Sequence, residues 1–302
     1  MAKLWFVVAF FAAVSFACLE PSRLDDHSLF YVSGDDIHGI VKRDVSFTVA
    51  PAFFLLEKLP FLKRKIQTGE YEVKKGEPAI AVILKMLDGK RVRHKLTIPE
   101  GYTVKMISDI IDRNELLFGE VPAEIPEASL APNTYFYYFG DTKASLVAQM
   151  REQMQLVRQK LLVKNSTSLS ADEVITLASI IEKESGNKGE RRTISSVFHN
   201  RLAIKMRLQS DPTVVYTLSN GLGKLKRALT RRDLQFPSPY NTYRNAGLPP
   251  NPICCPGEDA ILAAMTPEKT DYLYFVANKE HTGHIFSRDY KAHLAAVRSV
   301  KR

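Results

Sequence analysis

Between residues 66 and 114 the hydrophobic period changes from two to 3.6 and back again, and then changes once more. In EYEV, Tyr71 and Val73 alternate with charged residues, the pattern of a half-buried strand, and Lys75-Gly76 closes it with a turn. AIAVILKML follows with Ile80, Ile83, Leu84 and Leu87 at helical spacing, stopped near Gly89. VRHKLTI alternates Val92, His94, Leu96 and Ile98 until Pro99-Glu100-Gly101 breaks it. Val104, Ile107, Ile110 and Ile111 then return to helical spacing. Short strands and helices in turn within so brief a segment imply a small α+β unit. A purely structural domain and a polymer-binding module fit it equally.

Pro122, Pro126 and Pro132 mark a boundary near residues 120–133. The aromatic stretch NTYFYYFG beyond them reads as extended. Leu146, Met150, Met154 and Val157 form one stripe of a long amphipathic helix. Ser170 and Glu173 have the spacing of a capping box, opening a helix that runs to about Ser185, with Gly186 placed to end it in a left-handed conformation. On this helix Val174, Leu177 and Ile181 are three and four apart. At 100° per residue Glu184 lies about 60° from the centre of that stripe, and Glu182 about 100° away on the other side. Glu184 is therefore expected at the buried edge and Glu182 at the surface. A carboxyl against apolar groups has its neutral form favoured, as a general acid near neutrality requires.

The N-terminus restricts the compartment. Met1-Ala2-Lys3 precedes an uncharged run from Leu4 to Leu19, which reads as a secretory signal or a short membrane anchor. Ser15-Phe16-Ala17 would serve as a cleavage site, and Cys18 raises lipidation. The 42 Lys and Arg against 33 Asp and Glu give a net charge of +9, which suits nucleic acid, an anionic membrane or an acidic polymer. Export of the chain disfavours nucleic acid. The basic run Lys224 to Arg232 lacks interleaved aromatic platforms and reads as solvated surface. Adjacent Cys254 and Cys255 seldom bond each other, because disulfide geometry strains the intervening peptide.

Three further features bear on chemistry. Asp211-Pro212 reads as the cap and first residue of a helix, with Gln209 beside it. PSPYNTYRNAGLPPNP is a long loop rich in amide and hydroxyl groups, within which Tyr240, Asn241 and Thr242 are candidate ligand contacts. His281, His284 and His293 lack the helical spacing and neighbouring carboxylate of a zinc site and read as structural or cleft-lining.

The segments SIIEKESG, SVFHNRLAIKMRLQSDPTVVY, PYNTYRNAGLPP, AAMTPEKTDYLYFV and GHIFSRDYKAH together resemble the YceG-like family, the endolytic murein transglycosylases of the MltG type. The likeness spans roughly residues 65–297 and includes GEYEV and TIPEGYTV. EASLAPNTY at 127–135 and the Cys255-Pro256-Gly257 stretch depart from the family's usual wording, which bears on cleft shape. The resemblance implies an α+β fold in four parts. These are an N-terminal membrane segment (1–22), a juxtamembrane segment (23–65), a small LysM-like α+β subdomain (66–125) and a mixed α+β catalytic domain (126–302). It implies a peptidoglycan lytic transglycosylase that cleaves the β-1,4 bond from N-acetylmuramic acid to N-acetylglucosamine. The product is a 1,6-anhydro end, and one glutamic acid on a helix suffices. That acid maps to Glu184, in the pair Glu184-Ser185, with Glu182 as the alternative. Ser185 completes that pair on the substrate side, and given such a substrate Gln209, Asp211, Tyr240, Asn241 and Thr242 are the candidate glycan contacts, with a capping role for Asp211 and a structural loop as the alternatives. The implied setting is the inner membrane, single-pass, with the catalytic domain in the periplasm. The implied partners are glycan strands and peptidoglycan polymerases whose elongation the enzyme would end, and no cofactor or metal is required. A non-catalytic glycan-binding scaffold and a water-using muramidase remain as alternatives.

Overall fold

In the computed structural model of the chain, residues 28–32, 69–74 and 76–301 are described. The apolar run Leu4–Leu19, Cys18 and most of the expected juxtamembrane segment lie outside these residues. The chain forms two compact units, one of residues 1–95 with 136–141, the other of residues 96–135 with 142–302.

In the first unit β1 (Ser28–Val32) pairs antiparallel with β2 (Gly69–Val73), with Ser28 opposite Val73 and Val32 opposite Gly69. Tyr71 and Val73 point inward, as their alternation requires, and α1 (Ala79–Leu87) buries Val82 and Met86. Gly69 has φ +155 and sits so close to the Arg91 side chain that a Cβ would lie 2.3 Å from Arg91 Cδ. That close approach requires glycine. The strand β3 (Arg93–Thr97) pairs with β4 (Thr134–Tyr138).

The second unit begins earlier than the proline cluster suggests, with residues 96–125 belonging to it. Hydrogen bonds explain the grouping. Gly101 N–H donates to Cys255 O at 2.9 Å, Cys255 N–H to Tyr102 O at 2.8 Å, and Thr103 Oγ1 to Gly221 O at 2.5 Å. Thr103 caps α2 (Val104–Asp112), which buries Ile107 and Ile111. Helix α3 (Lys143–Leu162) buries Leu146, Met150, Met154 and Val157, the stripe expected for it.

At the centre of this unit is α4 (Ala171–Glu184). Its capping box is formed: Glu173 N–H donates to Ser170 Oγ at 3.3 Å, and Ser170 N–H to Glu173 Oε2 at 2.8 Å. Such a cap contributes about 1 kcal/mol. Every residue from Val174 to Ile181 is buried, so α4 is a core helix enclosed on all sides. Helices α5 (Arg191–Ala203) and α7 (Glu258–Met265) pack on it through Ile194, Phe198, Ile261 and Met265. The hairpin β5 (Tyr274–Ala277) and β6 (His284–Ser287) pairs Tyr274 with Ser287 and Ala277 with His284, and α8 (Tyr290–Lys301) lies against it.

Two expectations are corrected here. The helix ends in an extended Ser185, with φ −110 and ψ 107, and Gly186 is not left-handed. Glu182 is no surface residue: its side chain is 6% exposed. An amphipathic stripe separates inside from outside only on a helix with an outside. The adjacent cysteines are likewise core. Both are buried free thiols, Cys254 Sγ donating to Ser179 O at 3.3 Å, and burial pushes both thiols up.

Candidate active site

Glu182 and Glu184, two residues apart, leave the end of α4 in different environments. Glu182 accepts from Arg191 Nη2 at 2.6 Å and from Gly257 N–H at 3.0 Å. A Cβ on Gly257 would lie 2.1 Å from Glu100 Oε1, so a larger residue there would have to displace the Glu100 carboxylate. Burial raises the Glu182 carboxyl, while the Gly257 bond and the Arg191 charge oppose that rise. The Glu182–Arg191 pair ties α4 to α5 and to the start of α7, which is a structural role.

Glu184 instead lines a cavity of about 630 Å³ together with Asn187, Lys188, Ala277, His281, Thr282 and His284. Its carboxyl is largely enclosed by protein and partly open to that cavity. Burial pushes its pKa up to about 7, and the nearby Asp211 charge adds to the rise. The Ser210 hydroxyl, His284 and Arg201 act in the opposite direction. Ser210 Oγ donates to Glu184 Oε1 at 2.5 Å, the short side-chain bond that fixes the carboxyl.

Ser210 is the N-cap residue of α6 (Asp211–Leu218), with Asp211 inside the helix and Pro212 following it. The expected cap is therefore shifted by one: Asp211 does not cap, and its Oδ1 accepts from Tyr243 Oη at 2.6 Å. Gln209 has φ +49, and its N–H donates to Thr242 O at 3.1 Å while its side chain is exposed. A left-handed non-glycine residue costs about 1 kcal/mol, and this kink delivers Ser210 to Glu184.

The hairpin supplies the opposite wall. His284 Nδ1 and Glu190 Oε2 lie 2.8 Å apart, and the His284 N–H of the backbone donates to Glu190 Oε1 at 3.0 Å. A Cβ on Gly283 would lie 2.4 Å from Glu190 Oε1. Arg201, buried behind the site, donates to Leu273 O at 2.7 Å and Leu208 O at 2.6 Å.

The remaining substrate-side candidates are distributed differently from expectation. Ser185 is buried and donates to Asn187 O at 2.5 Å, shaping the turn after α4. Asn241 is buried, donating to Leu234 O and Phe236 O, and Thr242 is buried, bonded to Ser210 N–H and Thr213 Oγ1. In this structure the polar groups of Ser185, Asn241 and Thr242 are bonded within the chain, where they shape the turn after α4 and the loop around Thr242. Tyr240 is half-buried and lines a separate cavity.

Residues 33–299 match the model of the YceG-like family. The chain belongs to the YceG-like family. It is 33% identical to the endolytic murein transglycosylase of Bacillus subtilis, over 76% of this chain and 72% of that protein. It is 31% identical to the endolytic murein transglycosylase of Streptococcus pneumoniae, over 61% of this chain and 40% of that protein. The crystal structure of a YceG-like protein from Listeria monocytogenes aligns with a TM-score of 0.57 at 30% identity, covering 89% of this chain and 99% of that one.

In this YceG-like chain the residues that sequence reasoning missed are Ser210, Glu190 and Arg201. Glu190 and His284 are separated by 94 positions, and no local spacing reports such a pair. Ser210 carried a signal, since a serine before Asp-Pro is a standard N-cap. The basic run is exposed, and Arg227 binds Asp233 at 2.6 Å.

Proposed function

We propose that the chain is a peptidoglycan lytic transglycosylase with Glu184 as its acid. One observation carries the assignment: Glu184 lines a cavity with its carboxyl held by Ser210, in surroundings whose burial pushes its pKa up to about 7. The neighbouring carboxylates are committed elsewhere, Glu182 to Arg191, Glu190 to His284 and Asp211 to Tyr243. Most glycosidases set two carboxyl groups across the scissile bond. A single acid is enough if it acts twice. Protonated Glu184 gives its proton to the leaving N-acetylglucosamine oxygen as the bond to the muramic acid C1 breaks. The resulting carboxylate takes the proton of the muramic acid C6 hydroxyl, whose oxygen bonds to C1. Glu184 is protonated again, and a 1,6-anhydro ring remains with no water consumed.

The setting belongs to the same proposal. Met1-Ala2-Lys3 and the run Leu4–Leu19 support a single membrane anchor at residues 1–22. Residues 23–65 follow it, and within them Ser28–Val32 is already part of the first unit as β1, which corrects a purely juxtamembrane reading of that segment. The catalytic domain then lies in the periplasm and works on strands near peptidoglycan polymerases. The LysM-like, glycan-binding character of residues 66–125 rests on the family resemblance of GEYEV and TIPEGYTV, and the segment is divided between the two units after Lys95.

Digestion of purified glycan strands tests the reaction class, with mass spectrometry of the products. Ends carrying 1,6-anhydro-muramic acid support the lyase. Reducing ends would show a hydrolase, and intact strands a binding protein.

A further inference from the structure

A second cavity in the same unit, of about 670 Å³, lies among α2, the loop through Glu127, the C-terminal end of α6 and the loop through Tyr240. Its wall is aromatic and its rim polar. The rings of Tyr216 and Tyr240 are 5.2 Å apart and inclined at 46°, and both residues line the cavity. Glu127 accepts from Val104 N–H at 2.8 Å and from Tyr216 Oη at 3.2 Å. Ser108 and Asn220 stand at the rim, and Lys105 Nζ is engaged by Asn220 O at 3.3 Å.

This lining selects by chemistry. Metal binding needs several hard or soft ligands, and no group of three such residues occurs among the described residues. An anion would meet the half-buried Glu127 carboxyl, against which the lining sets a single exposed cation, Lys105. An uncharged ring with an apolar face and polar edges matches: tyrosine faces take its C–H surface, and hydroxyl, amide and carboxyl groups take its edges. The cavity volume is that of a small-ligand site.

Helix α6 connects this cavity to the proposed acid. Ser210 and Asp211 at its start face Glu184, and Tyr216 and Thr217 near its end line the second cavity. Eight helical residues span about 12 Å, so one extended polymer can address both ends. We infer that this cavity is a second saccharide site, taking one N-acetylated hexosamine of the strand that Glu184 cleaves and holding it away from the scissile bond. The ligand class rests on the transglycosylase reading above.

The test uses the full chain carrying Glu184→Gln and an oligomer of β-1,4-linked N-acetylglucosamine, followed by methyl NMR. Resonances of Val104 and Ile125, which line this cavity, are expected to shift on titration. Ser108→Trp, which fills the cavity, should remove those shifts and weaken binding about tenfold, the equivalent of one lost aromatic contact. Shifts at Ala277 and Thr282, beside Glu184, should persist in that variant. Tyr240→Ala, which removes the ring and the bond its hydroxyl accepts from Asn251, is the second variant should Ser108→Trp fail to fold. Shifts confined to Ala277 and Thr282, Val104 and Ile125 shifts that survive both variants, or no binding at all would each overturn the site. The catalytic reading is judged separately, from anhydro ends released by the native chain. Its failure would leave the NMR outcome for the cavity standing.

Discussion

Ser210 Oγ donates to Glu184 Oε1 across 2.5 Å, joining the N-cap of α6 to the last residue of α4. The adjacent Asp211 acts on the same carboxyl with the opposite sign. The hydroxyl favours the charged form, and the carboxylate disfavours it. Activity that needs protonated Glu184 falls as pH rises through about 7. Ser210→Ala removes a bond to the carboxylate and should move that alkaline limb upward by about one pH unit. Asp211→Asn should move it downward by a few tenths of a unit. Profiles of kcat/KM against pH measure both, and shifts in the same direction would show that the limb belongs to another group.

The same carboxyl sets a pH dependence of stability. Its folded pKa, about 7, lies above the ordinary 4.5. Between those values the unfolded chain loses the proton while the folded one keeps it, so stability falls as pH rises across the window. The full cost, about 3 kcal/mol, is present above pH 7. Glu184→Gln should match the native chain at pH 4 and exceed it by roughly 2–3 kcal/mol at pH 8. Denaturant melts at the two values read this directly, and an advantage that is equal at both would contradict it.

Glu182→Gln should act on folding rather than on chemistry. The new amide can still accept from Arg191, but the substitution leaves the guanidinium, 5% exposed, with the Glu100 carboxylate at 3.6 Å as its remaining counter-charge among the described residues. Breaking a buried pair in this way costs about 3 kcal/mol. The melting temperature should drop, while kcat per folded molecule remains within about threefold of the native value.

Much of the fold can be read along the chain. The strand around Tyr71, the helices buried through Val82, Ile107 and Met150, and the Ser170 capping box all follow from local periodicity and end chemistry. The end of α4 shows where such reading stops. The stripe Val174, Leu177 and Ile181 singled out Glu184, but the assignment of Glu182 to the surface assumed a half-exposed helix. Only the packing of α5 and α7 around α4 reveals that both carboxyls are enclosed, one paired and one left protonated. In the loop at 238–245, amide and hydroxyl groups suggested ligand contacts, yet Asn241 and Thr242 spend theirs on the chain itself. Composition cannot say which way a polar group is turned.

Gly283→Ala probes the hairpin wall. The new Cβ would displace a Glu190 carboxylate that two bonds tie to His284, so the contact cannot yield without losing them. We expect a loss of about 1–2 kcal/mol in stability and a tenfold or greater fall in kcat/KM. A variant with native kinetics would show that the Glu190–His284 pair does not shape the cavity.

The central claim is that Glu184 alone supplies the acid. Release of 1,6-anhydro-ended fragments from purified glycan strands, compared between the Glu184→Gln and Glu182→Gln variants with both verified as folded, tests it most directly. The account predicts that Glu184→Gln lowers release by about a thousandfold while Glu182→Gln, once folded, still cleaves. Near-normal release by Glu184→Gln with none from Glu182→Gln would contradict it.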